Sequence, residues 1–235
     1  MNYKKLLTII VPCYNEINTI QKIIKKINEQ KFSKQIILID DYSHDGTREL
    51  IKKKLIKKVD KIIFHNKNLG KGACIKNAKK YSIGKIIIIQ DADLEYSPKD
   101  YKKLINPILK NKTNIVYGSR VMNKSRYRSK NFSSKFRIFA NHFLTIISNY
   151  LNDQNLTDAH TCYKVFRRNI FNKIKLEEDH FSFCPEITTK ISMMKENIIE
   201  VPISYKGRGY KEGKKINFYD GLEALKTLIK YRYFK

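Results

Sequence analysis

A chain of 235 residues is long enough for one large α/β domain, or for one domain with an appended lobe. Its 48 Lys and Arg against 22 Asp and Glu leave a formal net charge of +26, which points to an anionic partner: nucleic acid, a membrane surface or a phosphorylated substrate, although the abundance of Lys leaves room for part of the charge to be passive. No apolar run reaches the roughly 18 residues a spanning helix needs, the N-terminal MNYKKLLTIIVP enters a strand with no cleavage pattern, and the scattered Cys13, Cys74, Cys162 and Cys184 suit reduced cytosolic thiols better than a zinc or disulfide framework.

In chain order, Leu6 to Val11 reads as a strand ending at Pro12, and Ile17, Ile20, Ile23, Ile24 and Ile27 follow at helical spacing. Residues 35–39 predict a second strand that ends in Asp40-Asp41, and the polar turn over 42–47 leads into a helix over 48–57. A third short strand over 61–65 is followed by the loop NKNLGKG (66–72), whose glycines let backbone approach a ligand, and by a helix over 73–81. The stretch KIIIIQDADLEY (85–96) is the pivot. Four consecutive isoleucines suit a strand buried on both faces, as in a parallel sheet. The carboxylates Asp91, Asp93 and Glu95 then follow at every second position, and they belong at the carboxyl edge where open α/β sheets bind ligands. Hard oxygen ligands of this kind suit Mg²⁺ or Mn²⁺ together with substrate phosphate oxygens. A capping role for these acids is less attractive, because Ser97-Pro98 supplies a cap and a first-turn proline.

Strands and helices alternating at this spacing form a βαβ series with right-handed crossovers. Three strands ending in NE, DD and DAD put their polar ends at one edge. Neither G-x-x-x-x-G-K-[ST] nor G-x-G-x-x-G occurs, so a nucleotide would be held through carboxylates and a metal rather than a glycine cradle.

Beyond residue 114 the chain predicts a strand over 115–117, then Gly118-Ser119-Arg120, and a basic, aperiodic segment over 123–135 expected to be a mobile loop. Phe132, Phe136, Phe139, Phe143, Ile146, Ile147 and Tyr150 fall at three- and four-residue steps on a helix, as core or as a surface for an acyl chain or membrane. A strand over 161–166 has Asp158 just ahead of it, Glu186 opens a helix as either a first-turn acid or a site residue, and residues 198–205 predict a last strand. Lys206 to Lys215 carries Arg208, Lys211, Lys214 and Lys215 with glycines, suited to a loop closing over phosphates. A basic helix over 221–234 bears Leu222, Leu225, Leu228, Ile229, Tyr231 and Phe234, and lies on an anionic bilayer or packs as a lid.

VPCYNE (11–16), IDDYSHDGT (39–47), NLGKGACIKNA (68–78) and QDADLEYSPKDY (90–101) resemble the nucleotide-sugar domain of family 2 glycosyltransferases. YGSR (117–120), DAHTCYKVFRR (158–168), FSFCPEITTKI (181–191) and VPISYKGRGYKEGKKI (201–216) resemble its polyprenyl-phosphate, dolichol-phosphate mannose synthase-like branch. The resemblance implies a GT-A fold: a mixed, mostly parallel sheet flanked by helices, with helices on the acceptor side toward the C-terminus. Within one continuous domain, residues 1–118 would form the nucleotide-sugar half and 119–235 the acceptor half. It further implies a nucleoside diphosphate sugar donor, a divalent metal and inversion at the anomeric carbon. Carried over by position, Asp91 and Asp93 would hold the metal and donor diphosphate with Glu95 as third ligand and Ala92 between them. Asp41 matches the nucleobase carboxylate, with Asp40 beside it leaving open which acid faces the base. Pro12, Tyr14, Asn15 and Glu16 would line base and ribose beside Gly70 and Lys71, and Arg137 matches a basic residue facing the acceptor phosphate.

The acceptor decides the remaining chemistry. A hydroxyl nucleophile needs a general base, for which Glu177-Glu178-Asp179 is a candidate unless it is only a solvated loop. A lipid phosphate is already anionic and needs cations instead: Arg120, Arg137, Arg208 and Lys214. The expectation is transfer to a polyprenyl phosphate on the cytoplasmic membrane face, with peripheral contact to anionic lipid. A hydroxyl acceptor in surface polysaccharide synthesis is the nearest alternative. A nucleotidyltransferase or a basic nucleic-acid-binding module stands further off, and with no recognisable binding signature no nucleic acid partner is expected.

Overall fold

The computed structural model describes residues 5–122, 132–208 and 218–234, with the side chains of the two helices that open the later segments described from residues 138 and 219 onward. Seven strands make one sheet: β1 (Lys5–Cys13), β2 (Lys34–Asp40), β3 (Lys61–Phe64), β4 (Gly84–Ile89), β5 (Ile115–Ser119), β6 (Lys164–Arg167) and β7 (Ile198–Pro202), in the order β3-β2-β1-β4-β6-β5-β7. β1 pairs in parallel with both β2 and β4, and β2 with β3. The antiparallel strand is β6, inserted between β4 and β5, while β5 and β7 are again parallel. Strand order reverses direction around β1 and β4, so the carboxyl ends of these two strands flank the crevice where open sheets take ligands.

The isoleucine runs explain the layering. Ile9, Ile10, the run Ile36-Ile37-Leu38-Ile39, and Ile86 to Ile89 are all buried, which requires helices on both faces. These helices are α1 (Ile20–Asn28), α2 (Thr47–Leu50), α3 (Lys71–Lys79), α4 (Tyr101–Leu109), α5 (Phe132–Asn152), α6 (Arg168–Lys173), α7 (Phe183–Met193) and α8 (Phe218–Tyr233). α1 buries Ile20, Ile23, Ile24 and Ile27, the apolar spacing read from the sequence.

Several local expectations change. The helix over 48–57 is α-helical only through Leu50 and continues as a π-helical turn over Ile51–Leu55 and a 3₁₀ turn over Ile56–Lys58. Ser97 makes no side-chain cap; Pro98 instead opens a 3₁₀ turn over Pro98–Asp100 ahead of α4. β6 starts at Lys164 rather than 161, because the Lys164 ammonium curls the preceding chain by donating to the Ala159 and Thr161 carbonyls. β7 stops at Pro202 rather than 205: the Ser204 amide leaves the ladder to donate to Asp100 Oδ2 at 2.6 Å.

Among the described side chains, the aromatic stripe of α5 does not join the core. Phe139, Phe143, Ile146 and Tyr150 are exposed, and the helix buries Leu144, Thr145, Ser148 and Asn152 instead. Asn152 donates to Thr189 on α7. α8 packs against α7 and α5 through Ala224, Thr227, Leu228 and Tyr231 while Tyr219, Tyr233 and Phe234 face outward. The loop expected over 123–135 lies outside the described residues through 131, as does 209–217 of the basic loop. Among the described residues no helix is long and apolar enough to cross a membrane.

Candidate functional site

The loop after β1 is fixed by the turn after β2. Three consecutive amides donate to three side chains of the YSHDGT turn: Asn15 to Ser43 Oγ at 2.8 Å, Glu16 to Thr47 Oγ1 at 2.9 Å and Ile17 to Asp45 Oδ2 at 3.1 Å. Asn15 takes φ 52°, a left-handed conformation its short polar side chain tolerates, and its Oδ1 accepts from the His44 amide. Tyr14 sets its ring edge-on to His44 at 5.8 Å. Pro12, beside Ile39 in the sheet, and Tyr14 are half-buried at this rim.

The two aspartates ending β2 part company. Asp40 is fully buried and accepts from Arg48 Nε at 2.6 Å, leaving its Oδ1 without a partner. Asp41 turns toward the loop over 66–72: Oδ1 accepts from the Leu69 amide at 2.9 Å and pairs with His65 Nδ1 at 2.7 Å, and Oδ2 accepts from the Gly70 amide at 2.8 Å. The glycines of this loop admit protein rather than a ligand, contrary to expectation. A Cβ on Gly70, at φ +92°, would strike Asp179 and His180, and one on Gly72 would strike the Glu178 carbonyl. The Ala73 amide donates to the Asp179 carbonyl at 3.0 Å across this contact.

At the end of β4 the carboxylates meet cations from two directions. Lys71, at the start of α3, donates to Asp91 Oδ1 at 2.5 Å. Burial opposes its charge, but Asp91 outweighs this and holds the ammonium well above its usual range. Arg208 comes from the opposite side, Nη2 lying 3.4 Å from Asp93 Oδ2. The same guanidinium donates to both oxygens of Glu16, at 2.8 and 3.1 Å. Burial, then Asp91 and Glu95, push the Asp93 carboxyl up to about 7. Ala92 is buried between the two aspartates.

Glu95 is placed otherwise than a third metal ligand. Its Oε2 accepts from the Tyr205 hydroxyl at 2.8 Å and its Oε1 from the Arg208 amide at 2.7 Å, so it ties the chain leaving β7 to the end of β4. Tyr96 and Tyr205 add an isolated antiparallel bridge to the same junction.

Arg120, expected to face an acceptor phosphate, is paired in this structure with Asp158. Nε and Nη2 each donate to Asp158 at 2.7 Å, and its backbone amide donates to Asp158 Oδ2 at 3.1 Å. Asp158 is buried; burial alone would raise its carboxyl, but Arg120 holds it below the ordinary range. Glu200 on β7 accepts from the Thr157 and Asp158 amides and steadies this loop. The side chain of Arg137 and all of Lys214 lie outside the described residues.

The acidic triplet is structural. The Glu177 and Glu178 amides donate to the fully buried Glu186 carboxylate, at 2.7 and 3.0 Å, which also settles the two readings of Glu186. Glu178 Oε1 accepts from Lys230 Nζ at 2.7 Å and from the Tyr231 hydroxyl at 2.9 Å, both on α8. Asp179 pairs with Lys76 on α3. The sequence flagged the acids but not their partners: Tyr205, Glu200, His65 and Tyr231 carry no local signal of their contacts, since each partner lies more than twenty residues away.

Two places are tested for a divalent cation. Asp91 and Asp93 offer hard carboxylate oxygens on partly accessible side chains, and the raised Asp93 marks a concentration of negative charge that a cation would relieve; they fit Mg²⁺ or Mn²⁺. Among the described residues, the set of three that brings ligand atoms within 4.8 Å of one another is Asp41, His65 and Cys74. It fits poorly: Asp41 already accepts from two amides and the His65 ring, and burial pushes the Cys74 thiol far up, away from the thiolate a metal needs.

The family model described as glycosyl transferase family 2 matches residues 8–175. Among curated relatives, a UDP-N-acetylglucosamine–dolichyl-phosphate N-acetylglucosaminyltransferase of Methanococcus voltae is 26% identical over 243 residues, covering 96% of this chain and 95% of that protein. A dolichol-phosphate mannosyltransferase of Pyrococcus furiosus is 25% identical, covering 95% of this chain and 64% of that protein. A dolichyl-phosphate beta-glucosyltransferase of Dictyostelium discoideum is 27% identical over 97% of this chain and 74% of its own length. In architecture, glucosyl-3-phosphoglycerate synthase from Mycobacterium tuberculosis, solved with Mn²⁺, UDP and phosphoglyceric acid, superposes with a TM-score of 0.73 at 14% identity, covering 99% of this chain and 80% of that one. That likeness shows the shared fold, the GT-A architecture.

Proposed function

Because this chain belongs to glycosyl transferase family 2, we propose that it transfers a sugar, with inversion at the anomeric carbon, from a nucleoside diphosphate sugar to a polyprenyl phosphate. It is a nucleotide-sugar-dependent glycosyltransferase with the fold of that family. Membership gives the carboxylates at the end of β4 a use that the nucleic-acid reading does not, and it favours sugar transfer over nucleotidyl transfer, which would also use a carboxylate-bound metal. The observation that carries the acceptor assignment is the acidic triplet: Glu177, Glu178 and Asp179 hold α8, α7 and α3 together, so the one candidate general base read from the sequence is committed to packing. A phosphate nucleophile needs no base, and three of the relatives are named for transfer to dolichyl or dolichol phosphate.

In this reading Asp91 and Asp93 hold Mg²⁺ or Mn²⁺, which when bound neutralises charge developing on the leaving diphosphate. Lys71 orients Asp91. Pro12, Tyr14 and Asn15 form the rim for base and ribose, and Asp41 acts by fixing the loop over 69–70 beside them. Arg208 supplies a second cation, 3.4 Å from Asp93 on the side opposite Lys71. Arg120 shapes the acceptor side from its fixed pair with Asp158. The exposed aromatic faces of α5 and α8, with the basic surface around them, rest on the cytoplasmic face of an anionic membrane, bringing the lipid phosphate to the site.

The test is a screen of nucleoside diphosphate sugars with Mg²⁺ or Mn²⁺ and a polyprenyl phosphate, scoring lipid-linked sugar and free nucleoside diphosphate. Release of inorganic diphosphate would return the assignment to nucleotidyl transfer. Turnover with a soluble hydroxyl acceptor, lost in Glu178→Gln or Asp179→Asn, would replace the phosphate acceptor by a hydroxyl.

A further inference from the structure

Arg208 is held by anions that do not form a closed set. Its two terminal nitrogens bind Glu16 in a fork, and Nη2 also faces Asp93 at 3.4 Å. Nε is buried without a hydrogen-bond partner, an arrangement that costs free energy in a final resting place. The backbone of Arg208 is independently fixed: its amide donates to Glu95, and the neighbouring Lys206 amide donates to the Glu95 carbonyl at 2.9 Å. Rotation of the side chain alone therefore moves the guanidinium between Glu16, at the end of β1, and whatever stands at Asp93, at the end of β4.

A metal-bound diphosphate arriving at Asp91 and Asp93 presents phosphate oxygens to a guanidinium already within a few ångströms. Those oxygens accept in the same two-pronged geometry as Glu16. They also carry more charge, and the cation at Asp93 removes the carboxylate from competition. Glu16 becomes the partner that Arg208 must leave.

We propose that Glu16 is a positioning residue that acts through Arg208: it parks the guanidinium beside Asp93, and donor diphosphate with its divalent cation takes Arg208 over by exchange. Glu16 thereby weakens donor binding by the free energy of the parked pair while keeping Arg208 aligned for the leaving diphosphate. This departs from the expectation that Glu16 lines the nucleoside. The proposal rests on the reading of the donor as a nucleoside diphosphate sugar.

The experiment is a double-mutant cycle in binding, with UDP or GDP in Mg²⁺ titrated calorimetrically into wild type, Glu16→Gln, Arg208→Ala and the double variant, and the corresponding monophosphate as control. Glu16→Gln is expected to tighten diphosphate binding about fivefold where Arg208 is present and to change nothing in the Arg208→Ala background. The monophosphate, which reaches the exchange site less fully, should show less of the effect, and kcat should fall even as the diphosphate binds more tightly. Equal weakening of diphosphate and monophosphate in both backgrounds would overturn the proposal, because Glu16 would then contact the nucleoside itself. Unchanged binding in Glu16→Gln with Arg208 in place would overturn it too. A folding defect is separated by thermal unfolding of each variant, with Glu16→Asp as a partial rescue of parking. If no nucleoside diphosphate binds wild type, the reading of the donor fails, a result distinct from failure of the exchange.

Discussion

Two arginines, Arg120 and Arg208, face carboxylates at neighbouring ends of the same sheet, yet their surroundings differ in kind. Arg120 meets Asp158 through two side-chain bonds and a backbone bond, and Asp158 is buried, with its loop held by Glu200. Arg208 is shared between Glu16 and Asp93, with a buried Nε unpartnered. A closed ion pair holds a loop in place. An open one holds a cation ready for another anion. Sequence spacing gives both residues the same label, a cation available to phosphate, and their partners separate the roles.

The largest effect should come from the open side. Asp93→Asn keeps the shape but removes a hard anionic ligand, so turnover and metal-dependent nucleoside diphosphate binding should be abolished with the thermal midpoint preserved or raised. The carboxyl there is already pushed up by burial and by Asp91 and Glu95, so neutralising it relieves repulsion in the metal-free fold. Retention of more than about a tenth of the activity, or roughly 1.4 kcal/mol of barrier, would break the assignment.

The closed side should answer in stability. Asp158→Ala leaves the largely covered Arg120, 16% exposed, without its partner, a loss of about 3–5 kcal/mol by chemical denaturation. Its pH dependence has a definite sign. The folded carboxyl is held below its ordinary value by Arg120, so its contribution is present above the unfolded value near 4 and is lost as pH falls through the depressed folded value. His160, two residues on, adds a second window. Burial, then Lys164, lower it from 6.5 to about 4, so the fold favours the neutral ring. Stability should decline as pH drops from 6.5 toward 4, and His160→Gln should flatten that decline in melting scans. A pH-independent midpoint across that window in wild type would contradict the burial of a neutral imidazole.

The difference between the two arginines also marks what the sequence conveys. The aliphatic run over 36–39 and the isoleucine run over 86–89 define buried parallel strands because a strand covered on both faces has no polar alternative. The place of Asp91 and Asp93 at the carboxyl end of β4 is legible because they follow such a run directly. Pairings across long separations are not. Glu95 to Tyr205 spans 110 residues and Arg208 to Glu16 spans 192, and local pattern carries no trace of either. The glycines at 70 and 72 illustrate the converse: a conformational requirement was visible, but whether the close neighbour was ligand or protein depended on the chain at 178–180.

Arg208→Ala sharpens the contrast at a smaller scale. The buried Glu16 keeps its bond from the Thr19 hydroxyl at 2.6 Å, so stability should fall by less than in Asp158→Ala, while transfer falls about a hundredfold as one fixed donor to the leaving diphosphate disappears. A stability loss matching that of Asp158→Ala, with transfer intact, would make Arg208 a second structural pair and erase the distinction.

The smallest expected change in the protein itself concerns the surface of α5 and α8. Phe143 is 52% exposed and Tyr150 86% exposed on α5, close to α8, whose Tyr219 and Tyr233 are 73% and 64% exposed. Side chains this accessible contribute little to folding, so Phe143→Ser with Tyr150→Ser should shift stability by no more than about 0.5 kcal/mol. Their burial in a bilayer interface would add an apolar term that salt does not screen, whereas Lys and Arg attraction to anionic lipid weakens as salt rises. Flotation with vesicles of anionic phospholipid therefore distinguishes the two contributions. Wild type should float strongly at low salt and partly at high salt, and the double variant should keep the low-salt fraction while losing most of the high-salt fraction. Equal flotation of both proteins under both conditions would remove α5 from the membrane contact and leave its aromatic face to another partner.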